Sequence, residues 1–63
     1  MEFKKQKVEV LMARNGLSFG ELCEAMGVSN KSLLRRVLNR QDCRPVTLGK
    51  MARALGVDVE ELI

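Results

Sequence analysis

Residues 17–33 read LSFGELCEAMGVSNKSL, and they contain two helix starts separated by one helix end. Ser18, followed three residues later by Glu21, forms a capping box in which each side chain accepts from the other residue's amide. Gly27 suits the left-handed position just beyond a helix end. Ser29 is then the cap of a second helix. The stretch therefore predicts two short helices joined by only three residues.

The same pattern of caps and ends continues through the rest of the chain. Gly56 ends one helix and Asp58 caps the next, while Asn39 suits the left-handed end of the third helix. We therefore predict five short helices, over about residues 4–14, 19–26, 30–38, 48–55 and 59–63. The apolar residues at helical spacing, which we expect to be buried, are Val8, Leu11, Met12, Leu22, Cys23, Met26, Leu48, Met51, Ala52 and Leu55.

Length and composition restrict the fold class. The 63 residues are enough for a single domain, residues 1–63, with a small core. One Pro and five Gly disfavour a turn-rich β fold, and no segment shows strand alternation. The prediction is an all-α protein, a compact bundle of five short helices.

The composition also excludes several functions. The only aromatic residues are Phe3 and Phe19, too few to stack single-stranded bases. The chain has no His, and Cys23 and Cys43 lie at no metal-binding spacing, so we predict no metal and no cofactor. No nucleophile–base pair is evident, so we predict neither an enzyme nor a small-molecule substrate. With no membrane span, no signal peptide and reduced cysteines, we expect a cytoplasmic protein.

Positive charge is concentrated in one segment. Residues 31–44 contain five basic residues and one acidic residue, whereas residues 58–63 contain three acidic residues and no basic one. Such an uneven distribution indicates a face that binds a polyanion, although a solvated helix face would give the same pattern.

A three-residue connection makes the second and third helices cross steeply. We expect Cys23 to be the small residue that lets them approach closely. The residues expected to pack around this corner are Leu22, Met26, Val28 and Leu33. The start of the third helix would then project from the surface, in a position that fits the major groove of DNA.

These features resemble the helix-turn-helix domains of the lambda-repressor and Cro type, the XRE family. The resemblance covers about residues 8–62 without gaps. The segments that carry it are Gly16-Leu17-Ser18, Glu21-Leu22-Cys23, Met26-Gly27-Val28-Ser29, Ala52-Arg53-Ala54-Leu55-Gly56-Val57 and Glu60-Glu61-Leu62.

The resemblance implies a regulator of transcription, most simply a bacterial or phage repressor, that binds double-stranded DNA as a homodimer. Residues 30–38 would be the recognition helix in the major groove. The implied base contacts are Asn30, Lys31, Ser32, Leu34 and Arg35, with Leu34 against a thymine methyl. The implied backbone contacts are Ser18, Phe19, Asn39, Arg40 and Arg44. The apolar residues that could join two copies are Val59, Leu62 and Ile63.

Two residues at the predicted interface differ from the usual family pattern. Phe19 stands where the family has a Gln that contacts the DNA backbone or braces the recognition helix. Arg36 stands where the family has an apolar residue, so it must either reach solvent or pair with a carboxylate.

A protein-interaction module with the same fold is the alternative function. Phe19 favours it, and so would Leu34 and Leu38 if they lay near the presented face as an exposed apolar patch.

Overall fold

The structure is a computed structural model that describes all residues from Met1 to Ile63. It contains four α-helices and no β-strand: α1, Lys5–Asn15; α2, Phe19–Met26; α3, Lys31–Arg40; and α4, Pro45–Leu55. Helix α4 packs against α1 and α2, and α3 packs against α2. The all-α prediction is confirmed. None of the helices has the length and apolar character that crossing a membrane requires.

The prediction of a fifth α-helix is wrong. Residues Val59–Glu61 form one turn of 3-10 helix, the C-terminal turn. The Asp58 carboxylate accepts from the Glu60 amide, and the Leu62 amide donates to the Val59 carbonyl at 2.9 Å, three residues back. The Leu62 carbonyl in turn accepts from the Lys4 amide at 2.7 Å. The Leu62 carbonyl is thus bonded to the start of the chain, and not within the further helical turn that was expected.

The start of α2 is as predicted. The Ser18 hydroxyl accepts from the Glu21 amide at 3.1 Å, and the Glu21 carboxylate accepts from the Ser18 amide at 2.9 Å. Gly27 ends α2 with φ of 74°, which a side chain would disfavour. Both ends of α2 are therefore set by the residues that the sequence singled out.

Helix α3 starts and ends later than predicted. Its N-cap is Asn30 rather than Ser29, and the Asn30 side-chain oxygen accepts from the Leu33 amide at 3.2 Å. The left-handed residue at its end is Gln41, with φ of 56°, rather than Asn39. The Gln41 side chain accepts from the Lys5 amide at 2.9 Å, and its carbonyl accepts from the Phe3 amide at 3.1 Å. Contacts with the start of the chain thus hold this helix end.

Helix α4 begins at Pro45, three residues before the predicted start. Proline is favoured in the first turn because its missing N–H would have no helical partner there. The loop between α3 and α4 is consequently residues 41–44, shorter than the nine residues, 39–47, between the two predicted helices.

The core consists of thirteen buried residues, all hydrophobic: Phe3, Val8, Leu11, Leu22, Cys23, Met26, Leu34, Leu38, Leu48, Met51, Ala52, Leu55 and Leu62. Nine of the ten residues expected to be buried are among them, and the tenth, Met12, is half-buried. Leu62 is fully buried, so the expectation that it joins two copies is wrong; it belongs to the core of the monomer.

Residues 1–4, the N-terminal segment, close one side of the bundle. They run antiparallel to the α3–α4 loop, with a bridge between Glu2 and Asp42, and the Cys43 amide donates to the Met1 carbonyl at 3.0 Å. Within this segment Phe3 belongs to the hydrophobic core, with only 4% of its surface exposed. This segment therefore fixes the loop that follows α3.

Candidate functional site

Helix α3 carries the densest group of exposed cations in the molecule. Of its ten residues only Leu34 and Leu38 are buried, and the exposed cations are Lys31, Arg35, Arg36 and Arg40. Successive residues of an α-helix are rotated by about 100°, so these cations lie on three sides of α3.

The first side, the α2 side, carries Lys31 and Arg35. The Arg35 guanidinium lies over the Phe19 ring, 4.3 Å from its centroid. The Lys31 side chain lies over Gly20, where an added β-carbon would be 3.2 Å from the ammonium nitrogen. Both cations therefore rest on the first turn of α2, which the Ser18 capping box holds.

The second side, the outer side, carries Ser32, Arg36 and Asn39. All three are exposed, and Arg36 has no carboxylate partner. Arg36 is rotated by about 160° from the buried Leu34, so it points almost directly away from the core. The Asn39 side-chain oxygen accepts from the Lys5 ammonium at 2.9 Å, which ties the end of α3 to α1.

The third side, the groove side, carries Leu33 and Arg40. They line an open groove of about 800 Å³ between α3 and the α3–α4 loop, and Arg44, at the start of α4, lines it as well. Arg40 and Arg44 are both exposed, so the groove has cations along its rim.

The structure contradicts the placement of the two leucines of α3. Leu34 is 2% exposed and lies in the core, so it cannot be the base contact that was expected. Leu33, expected to pack around the corner, is 53% exposed. The signal was present in the sequence, because Leu34, Val37 and Leu38 form an i, i+3, i+4 stripe that leaves Leu33 outside. Leu38 is also buried, which removes the exposed patch on which the protein-interaction alternative relied.

Asn30 has a structural role as the N-cap of α3. Its side-chain oxygen already accepts from the Leu33 amide, whereas its amide donors face no partner within the chain. Bidentate pairing with adenine uses both groups of an Asn side chain. Asn30 can therefore donate to a base with its side-chain amide, but its side-chain oxygen is already partly occupied by the Leu33 amide.

The cations of α3 are not neutralised within the protein. The single ion pair of the structure joins the Met1 ammonium to Asp42 at 2.9 Å, and no Lys or Arg side chain pairs with a carboxylate. That ammonium lowers the pKa of Asp42, so the one acidic residue in the basic segment is charged but already partnered. The exposed surface of α3 is consequently positive.

The two cysteines are free, and neither is part of a group of three or more potential metal ligands. Cys23 is buried at the contact of α2 with the core, as predicted. Burial raises the pKa of the Cys43 thiol above its ordinary value. The thiol form of Cys43 is therefore favoured at neutral pH. Because the thiolate is the reactive form of cysteine, the surroundings of Cys43 do not make it reactive.

The family model of the Cro/C1-type helix-turn-helix (HTH) DNA-binding domain matches residues 7–63. The match covers all four helices except the first two residues of α1. No curated protein matches the chain significantly, and neither does any solved structure.

Proposed function

Because the chain belongs to the Cro/C1-type HTH DNA-binding domain family, we propose that it binds specific sequences of double-stranded DNA and regulates transcription, as a bacterial or phage repressor. The observation that carries the proposal is the group of four exposed cations on α3 that have no carboxylate partner. Such a surface releases counterions when it meets phosphates, which favours binding to DNA.

In this proposal α2 and α3 are the helix-turn-helix, and α3 is the recognition helix. Its ten residues span about 15 Å, and the major groove is wide enough to admit an α-helix. Arg35 and Lys31 are the principal base readers, because both can donate to guanine O6 and N7. Ser32 and the amide donors of Asn30 are further candidates. Leu33, and not Leu34, is the leucine that can reach a thymine methyl.

The proposed backbone contacts surround α3. Ser18 and Phe19 lie at the start of α2, where the free amides of a helix attract a phosphate. The Ser18 amide itself is already bonded to the Glu21 carboxylate. Arg40 and Arg44 line the rim of the groove on the other side. Asn39 is a weaker candidate, since its side-chain oxygen is already bonded to Lys5. Contacts on both sides would fix the orientation of α3 in the major groove.

We further propose that two copies bind two half-sites about one helical turn, roughly 34 Å, apart, as other helix-turn-helix proteins do. Of the three residues predicted to join two copies, Leu62 is buried, Val59 is half-buried and Ile63 is exposed. Ile63 is therefore the most accessible of the three for a dimer contact. A two-fold symmetric binding site would support this part of the proposal.

The function is tested by selecting bound sequences from a random pool of duplex DNA, followed by fluorescence titrations of the consensus at several salt concentrations. We expect a single consensus sequence and a linear fall of log affinity with log salt, with a slope of about 0.9 for each phosphate contacted. An affinity that does not change with salt would contradict DNA binding, and the protein-interaction alternative would then regain support.

The variant Arg35→Ala tests the recognition helix. We expect it to weaken binding to the consensus by about 1–3 kcal/mol and to relax the choice at one base pair. The matched control is Arg14→Ala, since Arg14 lines a different groove, together with Glu60 and Glu61. The control should leave the consensus unchanged, and equal effects of the two variants would contradict the role of Arg35.

A further inference from the structure

The contact between Phe19 and Arg35 joins the first residue of α2 to the middle of α3. The ring centroid lies 4.3 Å from the guanidinium carbon, the distance of a close cation–π pair. Phe19 is half-buried and packs against the core, whereas Arg35 is exposed. A fixed ring therefore supports a side chain that is otherwise free in solvent.

The position of the Phe19 ring is set by the backbone of α2. Ser18 and Glu21 close the capping box with two hydrogen bonds, of 2.9 and 3.1 Å, and Phe19 is the first helical residue after the cap. On the other side of the contact, Arg35 lies one helical turn beyond Lys31, whose ammonium rests on Gly20. Two consecutive turns of α3 thus contact the same short stretch of α2.

The N–H donors of Arg35 have no acceptor within the protein. A guanidinium presents its five N–H donors in its own plane, and its central carbon is the atom that lies over the Phe19 ring. No hydrogen bond or ion pair within the chain uses these donors, and the sole ion pair lies at Met1 and Asp42. The planar fork is available for a planar acceptor pair, and guanine offers one at O6 and N7.

From this geometry we infer that Phe19 is a positioning residue that determines specificity: it holds Arg35 ready to contact one guanine. The inference rests on the proposed DNA binding. Holding a long side chain in one orientation reduces the conformational entropy lost on binding, and it does so only for the base that this orientation meets. Phe19 thereby braces the recognition helix through its ring, at the position where the family has a Gln.

The inference predicts which substitutions at the two positions are tolerated. Phe19→Trp keeps an aromatic face and should keep specificity, whereas Phe19→Leu keeps an apolar side chain of similar bulk but offers no π face. Arg35→Lys keeps the charge and can still donate to guanine but lacks the planar fork, so it should weaken the preference for guanine while keeping much of the affinity for other sequences.

The test measures binding of the whole protein to the selected consensus and to duplexes with one base pair changed at each position. We expect Phe19→Leu to reduce discrimination about twofold to fivefold, the size of an exposed cation–π contact, at the one position that Arg35→Ala also relaxes. In the Arg35→Ala background, Phe19→Leu should have no further effect at that position. An equal loss of affinity for every duplex, or additive effects of the two changes, would overturn the inference.

A second readout needs no DNA. The ring current of Phe19 should shift the NMR signals of the Arg35 side chain upfield, and Phe19→Leu should abolish this shift while the helical circular dichroism stays unchanged. Unshifted Arg35 signals would overturn the positioning role even if the protein binds DNA. A correct shift in a protein that prefers no DNA sequence would instead contradict the proposed function, and the specificity role with it.

Discussion

Leu33 and Leu34 are neighbours in the chain, but the α3 helix rotates them by about 100° relative to each other, and only Leu34 reaches the core. The same rotation places Arg35 on the α2 side and Arg36 on the outer side. At the scale of single residues, therefore, the angular position of each side chain around the α3 axis decides whether it packs in the core or is available for binding.

The two leucines give a matched pair of variants. We expect Leu34→Ala to lower the free energy of unfolding by about 2–5 kcal/mol, because it leaves a cavity in the core. Leu33→Ala should change the free energy of unfolding by about 0.5 kcal/mol or less, because Leu33 is exposed. Urea denaturation followed by circular dichroism measures both. If Leu33→Ala lowered the free energy of unfolding more than Leu34→Ala, then Leu33 and not Leu34 would be the leucine of α3 that lies in the core.

At the scale of the helices, the glycines differ in what they require. Gly16, Gly27 and Gly56 follow helices and have positive φ, whereas Gly49 lies inside α4 with ordinary helical geometry. Apart from its chain neighbours and the backbone of its own helix, no atom lies within 4 Å of a β-carbon placed on Gly49. Gly49 therefore destabilises α4 relative to an alanine at the same position, whereas the positive φ of the other three glycines favours glycine there.

We expect Gly49→Ala to stabilise the protein by about 0.5–1 kcal/mol, since alanine loses less backbone freedom on forming a helix. The melting temperature should rise by roughly 2–8 °C in a domain of this size. Gly27→Ala is the control: with φ of 74° it should lower the melting temperature. A thermal melt in which both variants shift in the same direction would contradict the helix geometry.

The capping box of α2 also makes stability depend on pH. Hydrogen bonds from the Ser18 amide, and secondarily from its hydroxyl, lower the pKa of Glu21 below its ordinary value of 4.5. A pKa that is lower in the folded state gives stability that is fully present above the unfolded pKa and is lost as the pH falls through the folded pKa.

The variant Glu21→Gln separates the charge of Glu21 from its hydrogen bond, because Gln keeps an acceptor oxygen but does not titrate. The difference in unfolding free energy between the two proteins should be constant near neutral pH. Below about pH 4.5 the wild-type advantage should decrease. Urea titrations between pH 7 and 3 measure the unfolding free energies of the two proteins. If their difference did not depend on pH, the ionised carboxylate of Glu21 would not be specifically stabilised in the folded state.

At the scale of the whole molecule, the N-terminal segment connects parts of the chain that are far apart in sequence. Phe3 bonds to Gln41 through its amide, and Lys4 bonds to Leu62 in the same way. Since the α3–α4 loop carries Arg44 and follows Arg40, this segment also fixes the cations on the rim of the groove.

We expect Phe3→Ala to destabilise the whole fold by about 3–5 kcal/mol, a large fraction of the stability of so small a domain. Val10→Ala is the control on α1, since Val10 is 50% exposed and should tolerate the change. Thermal and urea unfolding compare the two. Equal stabilities would mean that the N-terminal segment does not contribute to the core.

The features that could be predicted from the sequence are those encoded within three or four residues. The caps at Ser18 and Asp58, the glycine ends at Gly27 and Gly56, and the apolar stripe of α4 are all of this kind. They depend on hydrogen bonds and side-chain directions inside one helical turn, so no other part of the chain is needed to specify them.

The features that required the tertiary structure depend on residues far apart in the chain. Gln41 rather than Asn39 ends α3 because Phe3 and Lys5 bond to it, and the C-terminal turn stays short where Lys4 bonds to Leu62. Arg35 is a supported side chain because Phe19 lies beneath it, sixteen positions earlier. These contacts form only once the helices have packed, since local preferences carry no information about which distant group will lie alongside.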